Sequence, residues 1–121
     1  MIEIIKLLNI YLNHFPKHEK YALSNQIRNT EYELYSLIIE GQKRYYKKTT
    51  LTNLDIMHEK LKMLVYLAHQ LDYFSFKDSK KHLKQKNLAT KRYGIISVKI
   101  TEIGKMIGGW IKKLKLENQW K

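Results

Sequence analysis

A chain of 121 residues that is 44% hydrophobic can bury one sizeable core, and with no cysteine it excludes disulfides and thiolate metal sites. No apolar run reaches the roughly 18 residues of a membrane span and no secretory leader is visible at Met1, so no membrane role is expected and a cytoplasmic setting is. Lys and Arg number 23 against 11 Asp and Glu, and a net charge of +12 calls for a polyanionic partner without dictating a fold.

That charge is uneven, at +3 over residues 1–50, −1 over 51–75 and +10 over 76–121. One proline and five glycines are too few for a turn-rich β protein, so the chain reads as all-α. A first helix is expected over residues 2–13, with Ile5, Leu8, Leu12 and Phe15 as its apolar seam. Pro16 ends it, because proline lacks an N–H and disfavours helix in the residue before it, and the same ring suits the start of the next helix.

The second helix is expected over 17–46, its seam Leu23, Ile27, Thr30, Leu34, Leu37 and Gly41 following the helical repeat. A second stripe, Arg28, Tyr32, Tyr35, Ile39, Lys43 and Tyr46, is unusually aromatic for a solvated face. It reads either as a subunit or partner contact or as aromatic stems lying along the bundle's own edge. Thr49 to Asn53 supplies turn and capping chemistry before a third helix over 52–73. That helix carries the seam Leu54, Met57, Leu61, Leu64, Ala68 and Leu71, and an outer line of Asp55, Glu59, Lys62, Tyr66, His69 and Tyr73. A cation among aromatics can stack bases or pair with phosphates, and an ordinary mixed interface has the same composition.

Residues 74–89 form a basic connection or insertion, and Lys77 to Arg92 holds seven basic residues and one Asp. The closing helix, 90–114, has the seam Ile96, Ile100, Ile103, Ile107, Trp110 and Leu114, with Lys91, Lys105 and Lys112 roughly opposite. Gly104, Gly108 and Gly109 interrupt it, each costing about 1 kcal/mol against alanine, which points to another backbone packed close by. Four amphipathic helices with short connections make an antiparallel up-and-down four-helix bundle.

Catalytic and metal chemistry is missing from this pattern, and no cofactor motif is present. His58 and His69 lie eleven residues apart, about 16 Å along one helix, and Pro16 separates His14 from His18. There is no paired zinc motif, phosphate-cradling glycine loop or nucleophile elbow, so the chain is not expected to be an enzyme. The outward cations Arg28, Lys62, Lys105 and Lys112, with Lys80, Lys81, Lys84 and Lys86 as an auxiliary patch, are the candidate nucleic-acid contacts. Tyr32, Tyr35, Ile39, Tyr66, Gly104 and Gly108 are the candidate oligomer or partner contacts.

Phe15-Pro16-Lys17-His18-Glu19-Lys20-Tyr21, Gln26-Ile27-Arg28-Asn29 and Glu102-Ile-Gly-Lys-Met-Ile-Gly-Gly-Trp110 resemble one small-protein family. It is the accessory variability proteins of diversity-generating retroelements, related to four-helix-bundle proteins encoded in ribosomal RNA intervening sequences. The resemblance implies a pentameric ring with a basic surface that binds the retroelement reverse transcriptase and template RNA, and possibly DNA. Such proteins support mutagenic cDNA synthesis without catalysing it. The chain departs from the family pattern between Lys77 and Thr90, where the last two helices are joined more directly. Two other readings compete: an interaction module for an acidic protein, and an intervening-sequence-type bundle with no retroelement role.

Overall fold

The computed structural model describes residues 1–43, 48–77 and 85–117, and among these there is no strand. Four helices carry the chain: α1 (Ile2–Leu12), α2 (Leu23–Lys43), α3 (Lys48–Gln70) and α4 (Gln85–Leu116). Each packs on two neighbours, α1 on α2 and α4, and α3 on α2 and α4, so the four close a ring around one core. Leu8 of α1, Ile27 and Leu34 of α2, Leu51, Leu54 and Leu61 of α3, and Ile96 and Ile107 of α4 are fully buried there.

Side-chain contacts fix the directions. Asn9 of α1 and Asn13 at its C-terminal cap bond Tyr32 and Arg28 of α2, one position rising as the other falls. His58 of α3 reaches Ile100 of α4, while His69 stacks on Tyr93. Both pairs are therefore antiparallel. The short link between α2 and α3, which pack side by side, makes the up-and-down order expected from four amphipathic helices.

The seams hold with local corrections. On α2 all six expected positions, from Leu23 to Gly41, are buried. On α1 the buried line is Ile4, Leu8, Tyr11 and Leu12, with Ile5 only half-buried, so the face is turned by about one residue. The expected second helix divides: Pro16 precedes a 3-10 turn over Lys17–Glu19, and α2 begins only at Leu23. Its expected extension to Tyr46 lies outside the described residues.

α3 starts at Lys48, so Thr49 to Asn53 is helical and not a turn. Leu51, fully buried one turn before Leu54, explains this, since burying a leucine outweighs the weak propensity of the threonines around it. α3 also ends earlier than expected. Asp72 adopts a positive φ of 64°, its N–H reaches the His69 carbonyl at 3.0 Å and that of Tyr73 reaches Ala68 at 3.0 Å. This left-handed closure usually employs glycine, and with aspartate there the stop has no glycine signature. Leu71, expected on the seam, is consequently exposed. α4 begins five residues before Thr90 and ends two beyond Leu114.

Past Asp72 the chain turns inward. Phe74 is wholly buried, edge-on to Tyr11 and Phe15, and seals the end of the core. Arg92 of α4 holds this segment, one guanidinium nitrogen donating to the Phe74 and Phe76 carbonyls at 2.7 Å each. The same guanidinium lies 3.7 Å from the centre of the Phe76 ring.

Candidate nucleic-acid interface

On α4 the buried line Ile96, Ile100, Ile107 and Leu114 forces the residues opposite to face outward. Lys91, Lys105, Lys112 and Lys113 are all exposed. Lys91 and Lys105 are about 21 Å apart along the axis, and Lys105 and Lys112 about 10 Å. Glu102 is the sole acid of α4, is exposed, and forms no ion pair among the described residues. The outer side of α4 is thus a run of cations with nothing of opposite sign between Lys105 and Lys113. Lys99 is the exception, reaching Glu3 of α1 at 3.6 Å.

Lys62 stands on the outer side of α3 beside Glu59, at 3.7 Å and with both side chains more than half exposed. A pair so solvated holds its lysine weakly and leaves it able to reach a phosphate. Of the auxiliary patch, Lys80, Lys81 and Lys84 lie outside the described residues, and Lys86 lies in the first turn of α4. Arg92, part of the same basic stretch in sequence, is 8% exposed and committed to Phe74 and Phe76, so it belongs to the core and not to any patch.

Arg28 sits on a different edge. It is half-buried and donates to Asn13 at 2.7 Å, and one turn on, the Tyr32 hydroxyl accepts from Asn9 at 3.1 Å. The start of the aromatic stripe therefore lies along the bundle's own α1–α2 edge, while Tyr35 is half-exposed and Ile39 exposed. Lys17 and Lys20, brought beside Arg28 by the 3-10 turn, line the same cleft. Their spacing of 3, 4 and 4 through Ser24 to Arg28 carried this grouping in the sequence. A straight helix over 17–46 put that line on its side rather than at a corner.

Next to Arg28, Glu31 has no exposed surface and no hydrogen-bond partner for either carboxylate oxygen. Burial pushes its pKa up to about 8, with the nearby Arg28 charge pulling the other way. Sequence reading missed Glu31 because α2 buries two lines at once. One is the apolar seam, and the other is Ser24, Glu31 and Ile38 at a spacing of seven.

The candidate contact glycines separate. A Cβ on Gly104 would lie 2.6 Å from the His58 ring, whose Nε2–H donates to the Ile100 carbonyl at 2.7 Å. The close approach at Gly104 is thus made by a side chain of the same chain, and not by another backbone. Gly108 and Gly109 have nothing within 4 Å of their would-be Cβ atoms. Tyr66 is exposed, near Tyr93, on a face of α3 that also exposes Ile56, Met63 and Leu67, with Leu71 exposed just beyond it. Among the described residues no three acids or histidines converge to hold a metal, and no helix is long and apolar enough to cross a membrane.

A family model described as bAvd-like matches residues 1–114 of the chain. No curated protein and no solved structure matched it.

Proposed function

Because the chain belongs to the bAvd-like family, the bacterial accessory variability determinants, we propose that it is a non-catalytic accessory factor of a diversity-generating retroelement. In this reading it binds the reverse transcriptase and the template RNA or cDNA in the cytoplasm and supports mutagenic reverse transcription. The observation that carries the nucleic-acid part is the outer row of α4, where Lys105, Lys112 and Lys113 are exposed with no acid among them. Lysines spread along a helix supply charge without the base-edge geometry of sequence readout, so binding is largely independent of sequence and steeply dependent on salt. Lys62 and Arg28 extend the positive surface to other edges.

The exposed apolar line from Ile56 through Met63 and Leu67 of α3 to Leu71 just beyond it supports protein contacts as well. It suits either the transcriptase or copies of this chain, in a ring of five by likeness to the family. Titrating the purified protein with structured RNA and duplex DNA at two salt concentrations, with its mass in solution measured alongside, tests both parts. Tight, salt-sensitive binding by a closed oligomer is expected. No binding at low salt would leave the charge to an acidic protein partner.

A further inference from the structure

The corner between α1 and α2 carries a second concentration of positive charge, and its construction differs from the row on α4. Leu12 and Phe15 wall one side of a cleft of about 340 Å³, Lys17 and Lys20 come from the 3-10 turn, and Ser24 and Arg28 from α2. No carboxylate lines it. Glu19, between the two lysines in sequence, is not among the residues that line it. Arg28 is held by the Asn13 carbonyl oxygen at 2.7 Å, which leaves the Asn13 amide nitrogen as a further donor.

Two independent observations point to a ligand rather than to solvated charge. Ser24 is 2% exposed, and its hydroxyl has no hydrogen-bond partner in the protein, although buried hydroxyls are nearly always bonded. The cleft also receives the start of α2. The residue before that helix, Ala22, has no capping side chain, and the first turn holds no acid. The free N–H groups and the positive end of the helix are therefore uncompensated on the protein's side. Lysines, arginine, amide, hydroxyl and helix start are all donors, and nothing lining the cleft offsets them.

We propose that this cleft is a phosphate-binding site. The Ser24 hydroxyl and the first turn of α2 donate to the phosphate oxygens, Arg28 is oriented toward them by Asn13, and Lys17 and Lys20 close over the charge. The cleft, at about 340 Å³, has room for a phosphate that is part of a larger molecule. Resting on the nucleic-acid reading above, that molecule is RNA, and a free nucleotide is the alternative source of the same chemistry.

Amide NMR of the full chain during titration with inorganic phosphate, and then with a short single-stranded RNA, tests this. Phosphate is expected to give saturable shifts confined to residues around Ser24 and Arg28. Ser24→Ala, which removes only an unpartnered hydroxyl, and the double variant Lys17→Gln/Lys20→Gln are each expected to weaken phosphate several-fold. Lys105→Gln/Lys112→Gln should leave phosphate binding unchanged. For RNA, the corner double variant should lower the slope of log affinity against log salt by about 1.4, at about 0.7 for each phosphate no longer neutralised. Shifts that never saturate, or that spread over all surface lysines, would overturn the site. Saturation by phosphate with unchanged RNA affinity in the corner variants would overturn RNA as the source and assign the cleft to a nucleotide. If wild-type protein binds no RNA yet phosphate still saturates the cleft, the nucleic-acid reading falls and the site stands.

Discussion

At Gly104 the His58 imidazole occupies the space that a larger residue would need for its Cβ. Gly104→Ala gains helix propensity but must displace the ring and its bond to Ile100, for a net loss of about 1 kcal/mol. Gly108→Ala and Gly109→Ala, with open space at both positions, should stabilise by about 0.5–1 kcal/mol each. Urea unfolding of the three variants checks the contrast, and stabilisation by all three would mean that His58 does not rest on Gly104. Glu31 yields a pH prediction of definite sign. Folded, its carboxyl keeps its proton to about pH 8, whereas unfolded it loses it near 4.5. The native state therefore binds the extra proton between these values, and stability falls as pH rises through that window. Glu31→Gln should match wild type near pH 5 and melt several degrees higher at pH 9. Parallel melting curves for the two proteins across the range would show that Glu31 ionises freely in the fold.

At the scale of elements, the segment after α3 is tied to α4 through Arg92, while Ser75 bonds the Asp72 carbonyl within its own turn. Arg92→Lys cannot bond both the Phe74 and Phe76 carbonyls and lie flat on the Phe76 ring, so it should cost about 2–3 kcal/mol. Near-UV circular dichroism should lose the signal of the Tyr11, Phe15 and Phe74 cluster in step, and an unchanged spectrum and stability would contradict the pinning role. This region was the least legible in sequence, because an arginine within a basic run looks like every cation around it. Only its neighbours distinguish it. The apolar seams of α2 and α4 were legible because each follows the helical spacing. The start of α3 and the break before α2 were not, since they depend on Leu51 meeting the core and on the 3-10 turn after Pro16. Glu31 escaped because its burial depends on its neighbours in space, and the cleft beside it because the 3-10 turn, not the spacing of Lys17, Lys20, Ser24 and Arg28, makes the corner.

At the scale of the whole molecule, a net charge of +12 repels itself, an imbalance that favours a polyanionic partner. Composition made that much plain. It left open which cations remain free once the chain folds, and the structure removes Arg92 from them and ties Lys99 to Glu3. The most direct test of the central claim is the salt dependence of RNA binding by wild-type protein and by Lys105→Gln/Lys112→Gln. Wild-type affinity is expected to fall steeply with salt, and the variant to bind more weakly with the slope reduced by about 1.4. Identical slopes and affinities for the two proteins would contradict it, because the outer row of α4 would then touch no phosphate.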